Sequence, residues 1–267
     1  LDSDDYWAAD ALAELVRAAD AGAADLLLFD AVTLAEPGVD EKTRAIYHRD
    51  YYRRSQAYPD GVSGQELMAR MKAAGDYRVQ ACLYLLRTDY VREHFLRFRP
   101  GLPREDNLFT FEALLRARRA AHRPVALYTR RLRAGSLITA GSRAAAARGY
   151  FVTFYEMLRI TAPMTFDDAT GREVGATMFK AFKQAREHFV RLDPDLGDQL
   201  AEIDPQPDAQ AVFLILRQAR EDARRARRGS HRPREAGGHA AGPGLLGRAR
   251  RLAERGYRAA SRLVGRT

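Results

Sequence analysis

Three carboxylates crowd the first five positions, Leu1-Asp2-Ser3-Asp4-Asp5. On an extended segment, alternation puts Asp2 and Asp4 on one face. Two carboxylates so placed suit a hard divalent cation, Mg²⁺ or Mn²⁺, that also holds phosphate oxygens. Such a cation takes up charge on a departing diphosphate. The same residues suit a helix cap equally, with Asp4 or Asp5 meeting the dipole of a helix that starts near Tyr6. A second acidic pair, Glu105-Asp106, follows the loop Pro100-Gly101-Leu102-Pro103-Arg104 and precedes a helix. A carboxylate there suits a base that takes a proton from a hydroxyl, or a plain N-cap. The third group is Tyr128-Thr129-Arg130-Arg131-Leu132-Arg133-Ala134-Gly135-Ser136. Arg131 and Arg133 share a face of an extended segment, and the guanidinium fork matches phosphate oxygens. An exposed basic strand edge explains that string as well.

These groups need a frame. Residues 6–21 read as a helix, with Leu12, Leu15, Val16 and Ala19 on one face. The run Leu26–Phe29 reads as a short buried strand, and a carboxylate cluster, a helix and a buried strand in succession is an α/β pattern. Residues 34–60 read as a long excursion with an extended piece near Ile46–Tyr52. Ser63 and Glu66 have the spacing of a capping box for a helix through Ala74, which Gly75 ends. Residues 79–86 are an apolar run read as a strand, followed by a helix that Thr88 caps. Leu96–Phe98 reads as another extended piece, and a further helix runs from about Asn107 to Arg119. Residues 124–131 read as an edge strand, because proline is tolerated at a strand start. Helical patterns alone follow, over about 140–160, 171–190 and 207–228.

The net charge of +9 averages two opposite ends. Residues 1–60 carry a net −7, which suits a cation site, and residues 217–267 carry a net +11 made wholly of arginine on the basic side. The basic tail suits an anionic partner, and residues 245–264 could form a helix with Leu245, Leu252, Leu263 and Val264 on one side, able to lie on an anionic membrane. A solvated tail fits as well, and a specific nucleic-acid role is not indicated. The single cysteine, Cys82, excludes an intramolecular disulfide and reads as a small core residue. No apolar stretch reaches the length of a membrane-spanning helix, and no signal peptide is visible. The six histidines show no ligand spacing: His94 and His188 read as half-buried structural residues and His122 as exposed. Tyr47, Tyr51, Tyr52 and Tyr58, interleaved with Arg49, Arg53 and Arg54, fit either a sugar-stacking border of an acceptor site or an excursion packed on the sheet. Trp7 fits core packing or an active-site wall, packing being the favoured reading.

Taken together, LDSDD (1–5), ADLLLFD (24–30), SGQELMARM (63–71), LYLLRTDYVREHFLRF (83–98), GLPREDNLFTFEALLRARR (101–119) and YTRRLRAGSLIT (128–139) resemble, in order and spacing, a family 2 glycosyltransferase. The likeness is nearest to bacterial members that build envelope and capsular polysaccharides. It covers Leu1 to about Ala140. The resemblance implies a GT-A fold, a Rossmann-like α/β nucleotide-diphospho-sugar transferase domain. It implies that Asp2 and Asp4 hold the metal, with Asp5 beside them at the nucleotide-sugar site. It makes Asp106 the general base with Glu105 as its neighbour, and places Arg131, Arg133 and Ser136, with Arg130, near the donor diphosphate. The reaction implied is inverting transfer of a sugar from a nucleotide-diphospho-sugar donor to a hydroxyl of a glycan or lipid-linked acceptor, assisted by Mg²⁺ or Mn²⁺. A cytoplasmic site of action follows, with the tail suited to the inner face of the plasma membrane. About ninety residues precede the acidic motif in that family and have no counterpart here. The expectation is therefore a partial GT-A domain, truncated before its DxD motif and lacking its N-terminal strands, that turns over little by itself. Its parts are expected at 1–138 (catalytic), 139–228 (helical extension) and 229–267 (basic Gly/Pro/Arg-rich tail). The alternative is a non-catalytic binding or scaffold module derived from such an enzyme.

Overall fold

The computed structural model describes residues 4–133, 143–192, 218 and 221–223. The chain divides into one unit over Leu1–Ala223 and a second over Arg224–Thr267, which lies outside the described residues together with the tail helix expected there. Most of the helix expected over 207–228 lies outside them too.

The fold is mixed α/β. Four strands, β1 (Tyr6–Trp7), β2 (Leu26–Ala35), β3 (Tyr84–Leu86) and β4 (Ala120–Leu132), form one sheet in the order β1-β4-β2-β3. β2 and β4 are parallel, with Leu26 opposite Ala120 and Ala35 opposite Leu132, while β1 and β3 run antiparallel to their neighbours. The helices are α1 (Ala11–Ala21), α2 (Glu41–Ile46), α3 (Gly64–Ala73), α4 (Thr88–Glu93), α5 (Asp106–Arg116), α6 (Arg143–Thr161) and α7 (Asp168–Phe189).

Alternation along β2 sorts its side chains between two cores. Leu27, Phe29 and Ala31 join Leu15 of α1 and Tyr128 of β4 on one face. Leu26 and Leu28 face the other way, into a larger core shared with α3, α5, α6 and α7. That second core holds Met68, Phe111 and Leu114 together with Phe151, Tyr155 and Phe189, so apolar burial runs without a break from the sheet into the α6–α7 hairpin. None of the described helices is long and apolar enough to cross a membrane.

Several sequence expectations are met. The Ser63 hydroxyl accepts the Glu66 amide at 3.1 Å, and Gly75 takes φ +74 beyond the end of α3. Others are corrected. Residues 6–7 are strand rather than helix, because they pair with Tyr128 and Thr129, and α1 starts only at Ala11, after Asp10 in a left-handed turn (φ 60). Ile46–Tyr52 is the end of α2 and turns, and Leu96–Phe98 joins no strand. Thr88 opens α4 but supplies no side-chain cap. β4 is an inner strand, not an edge. Pro124 is tolerated there because it falls at a bulge, where the register jumps from Phe29–Arg123 to Asp30–Ala126.

The end of the sheet where β2 and β4 begin is fixed by Asp25. Its Oδ2 accepts the Arg118 and Arg119 amides at 3.0 and 3.1 Å, and its Oδ1 accepts Arg87 Nη2 at 2.7 Å. Burial raises the pKa of this carboxyl, but the hydrogen bonds from Arg87 and from the two amides outweigh it and hold the group below its ordinary value. The stabilisation is therefore complete above the unfolded pKa of about 3.9 and is lost as pH falls through the lower folded value. Urea denaturation of the native chain and an Asp25→Asn variant checks this. The variant is the less stable at pH 7, and the gap closes on acidification towards pH 3.

Candidate functional site

The opposite end of the sheet gathers most of the residues singled out for chemistry. Asp5 precedes β1 and gives both carboxylate oxygens to β4. The Tyr128 hydroxyl donates to Oδ2 at 2.6 Å, and the Arg131 amide donates to Oδ1 at 2.8 Å. Asp5 is thus the residue that registers the acidic segment against the arginine-bearing strand. Trp7 supports the join from beneath, its ring 5.2 Å from Phe29 and 5.0 Å from Tyr128. Asp4 pairs with Arg133, Oδ2 to Nη2 at 2.7 Å. Arg131 donates through Nε to Glu36 Oε1 at 2.8 Å, and its Nη2 binds the same oxygen. Arg130 turns inward, donating to the Tyr52 hydroxyl with its guanidinium 5.4 Å from that ring.

Neither Asp4 nor Asp5 caps a helix, since α1 begins six residues after Asp5, behind Asp10. The chemistry of the donor set bears on the expected cation. Asp5 is committed to two hydrogen bonds, Asp4 offers a carboxylate shared with Arg133, and no group of three His, Cys, Asp or Glu able to hold a metal occurs among the described residues. A cation here requires Asp2, which lies outside the described residues, as does Ser136.

The second acidic pair stands on a different element. α5 runs against the direction of β2. Thr110, in its first half, hydrogen-bonds Tyr84 opposite Leu28, while Arg118, just past its end, bonds Asp25 ahead of Leu26. Asp106, one turn before Thr110, is therefore carried towards the end of the sheet where β2 and β4 finish. It is half-buried in the first turn of α5, where the helix dipole favours a negative charge. Glu105 is exposed at the N-cap position, has helical backbone angles and makes no side-chain cap. The preceding Arg104 is held at φ 61, a left-handed conformation that is uncommon for a residue with a Cβ.

A buried polar cluster went unread in the sequence. Arg54 Nη1 donates to Asp30 Oδ1 at 2.9 Å and to the Phe29 carbonyl at 2.8 Å. His122 Nε2 lies 3.2 Å from the same Asp30 oxygen, and the Tyr58 amide points at His122 Nδ1 from 3.4 Å. An amide on Nδ1 leaves the proton on Nε2, so His122 donates to Asp30. The Arg54 and His122 side chains are fully buried, which corrects the expectation of an exposed His122; it lies in inner strand β4. Arg54 Nε and Nη2 find no partner among the described residues. Tyr58 continues the network to Asp76 at 2.6 Å, and burial together with that carboxylate pushes its phenol up to about 12. Tyr52 and Tyr58 are buried too, so of the four tyrosines only Tyr47 and Tyr51 keep partial access for an acceptor-border role. A charged residue closing the apolar run Leu26–Phe29 was the one available signal for Asp30.

No protein-family model matches the chain, and no curated protein matches it. Solved structures do match. S. aureus TarS 1–349 in complex with UDP-GlcNAc aligns at TM-score 0.51 and 17% identity, over 85% of this chain and 67% of that one. The same TarS segment with UDP aligns at TM-score 0.50 and 18% identity, over 85% and 66%. A longer S. aureus TarS chain aligns at TM-score 0.53 and 16% identity, over 91% of this chain and 42% of that one. The chain thus spans about two thirds of TarS 1–349 and under half of the longer form. At these identities the likeness is one of fold, a partial GT-A-like domain.

Proposed function

We propose that this chain is the base- and acceptor-bearing part of an inverting glycosyltransferase of family 2 type that uses a nucleotide-diphospho-sugar donor. The observation that carries the reading is the gathering of Asp4–Arg133, Glu36–Arg131 and Asp5 at one end of a GT-A-like sheet whose neighbours were crystallised with UDP-GlcNAc and UDP.

In this reading Asp106 accepts the proton of an acceptor hydroxyl. The freed oxygen attacks the anomeric carbon from the face opposite the diphosphate, the bond from that carbon to the diphosphate oxygen breaks, and the electron pair leaves with the nucleoside diphosphate. Configuration inverts, and no covalent sugar–enzyme intermediate forms. Arg133 and Arg131 donate to the diphosphate from the strand that Asp5 holds in place. Mg²⁺ or Mn²⁺ bound by Asp4 and Asp2 would offset charge on the leaving group. Glu105, exposed beside Asp106, lines the approach without taking the proton. The acceptor is a glycan or lipid-linked envelope polymer.

The test is incubation of the full native protein with UDP-sugars, Mn²⁺ and envelope glycans, followed by NMR of the product anomeric proton. Inverted linkage with release of nucleoside diphosphate is expected. A retained linkage, or no transfer from any donor, overturns the reading.

A further inference from the structure

We propose that Glu36 is a resident counter-ion that competes with the donor diphosphate for Arg131 and returns to it as the nucleoside diphosphate leaves, an inference that rests on the transferase reading for the identity of that diphosphate.

The Nε–H and one Nη2–H of an arginine point the same way and form the fork that phosphate and carboxylate oxygens accept. In Arg131 both are engaged by a single oxygen, Glu36 Oε1, with Nε at 2.8 Å. A diphosphate can take that edge only by displacing Glu36. Arg133 is engaged too, by Asp4 at 2.7 Å. The two exchanges differ in one respect. A cation that draws in Asp4 frees Arg133 in the same movement, whereas nothing in the proposed reaction gives Glu36 another partner. The charge balance favours the same exchange. Asp4, Asp5 and Glu36 set three carboxylates against the two guanidinium groups of Arg131 and Arg133, so a net negative charge meets a ligand that is itself an anion. Moving Glu36 aside and neutralising Asp4 reverses that sign where the phosphates would lie.

The backbone holds Glu36 ready for this part. Its amide donates to the Leu132 carbonyl at 3.0 Å, one step beyond the last β2–β4 pair, Ala35–Leu132. Its carbonyl accepts Arg44 Nη2 at 2.8 Å, and Arg44 Nε donates to the Val39 carbonyl at 2.9 Å, so α2 pins the turn over 36–39. Gly38 takes φ 87 in that turn, a conformation open to a residue without a Cβ. The main chain is therefore fixed while the side chain, 29% exposed, has solvent to swing into. Folding gives little reason for the pair, because an ion pair whose arginine is 36% exposed adds little to stability.

The test is calorimetric titration of the full native protein with UDP and with inorganic pyrophosphate, both in the presence of Mn²⁺. Wild type is compared with Glu36→Gln, Arg131→Gln and the double variant. Glu36→Gln keeps the size of the side chain and removes its charge. It is expected to bind both ligands about three- to tenfold more tightly, to release UDP correspondingly more slowly, and to melt close to wild type. Glu41→Gln removes the same charge from the exposed side of α2 and is expected to bind as wild type does. Arg131→Gln is expected to weaken binding, and in that background most of the gain from Glu36→Gln should vanish, a coupling that a merely structural role would not produce. Should Glu36→Gln fail to fold, Glu36→Asp, one methylene shorter, is expected to show part of the gain. Unchanged or weaker binding by Glu36→Gln, an equal gain in Glu41→Gln, a gain that persists intact without Arg131, or no binding of either ligand by wild type and Glu36→Gln alike overturns the proposal. Tighter binding by Glu36→Gln in a protein that transfers no sugar keeps the counter-ion role and refutes the transferase reading. Inverting transfer with unchanged binding by Glu36→Gln refutes the counter-ion role alone.

Discussion

Asp106→Asn is expected to lower turnover by about 10²- to 10⁴-fold, the usual worth of a positioned general base, while leaving donor affinity and thermal stability nearly unchanged. The substitution keeps size and shape and removes only the capacity to take a proton. The cost to folding is expected to be small, since α5 is held by Phe111, Ala113 and Leu114 in the main core and a first-turn charge contributes only about 0.3–1 kcal/mol through the helix dipole. Glu105→Gln, on an exposed side chain, is expected to change turnover by no more than a few-fold. The measurement is initial-rate product formation for both variants beside titration of UDP and a melting curve. Wild-type rates for Asp106→Asn would remove the residue from the chemistry. A large fall in melting temperature would make its role structural.

The largest effect on stability is expected at Asp30. Removing one partner of a buried ion pair strands the other, at a cost of about 3–5 kcal/mol, and Asp30→Ala strands Arg54, whose side chain is 0% exposed. It also removes the acceptor of His122 Nε2. For a chain of this size the melting temperature should fall by on the order of 10 °C. The double variant Asp30→Asn/Arg54→Met should cost much less. It removes both buried charges, together with two guanidinium nitrogens that lack partners, refills the space with an unbranched apolar chain, and keeps an oxygen that can accept from His122 Nε2. Denaturation of the two variants side by side checks the contrast. If the double variant were as damaging as Asp30→Ala, the arginine would be contributing more than a counter-charge, and a bound anion or water at Nε and Nη2 would be the first place to look.

Much of the local structure was legible because it depends on neighbouring residues. Ser63 with Glu66, Gly75, and the apolar run at Leu26 all act within a few positions, and the structure uses them as read. The failures share a different cause. Tyr6–Trp7 is a strand only because Tyr128 and Thr129 lie opposite, and Pro124 sits inside a sheet only because a bulge on β4 releases it from the ladder. His122 is buried because Asp30, 92 positions away, accepts its hydrogen bond. Pairings at such separation are set by tertiary packing, which local spacing does not encode. The site shows the same division. The acidic and basic strings stood out by composition. Their partners did not: Glu36 for Arg131 and Tyr128 for Asp5 have no local signature.

The manner in which Asp5 joins β1 to β4 gives the site a built-in spectroscopic reporter. The Arg131 amide proton is held by a side-chain carboxylate, where a strand amide would ordinarily meet a backbone carbonyl. Its chemical shift and its rate of exchange with deuterium therefore follow the position of one carboxylate, on the residue next to Asp4 of the Arg133–Asp4 pair. A single resonance, assigned once, would track how the acidic segment responds as any ligand is added, with no label introduced into the site and no turnover required.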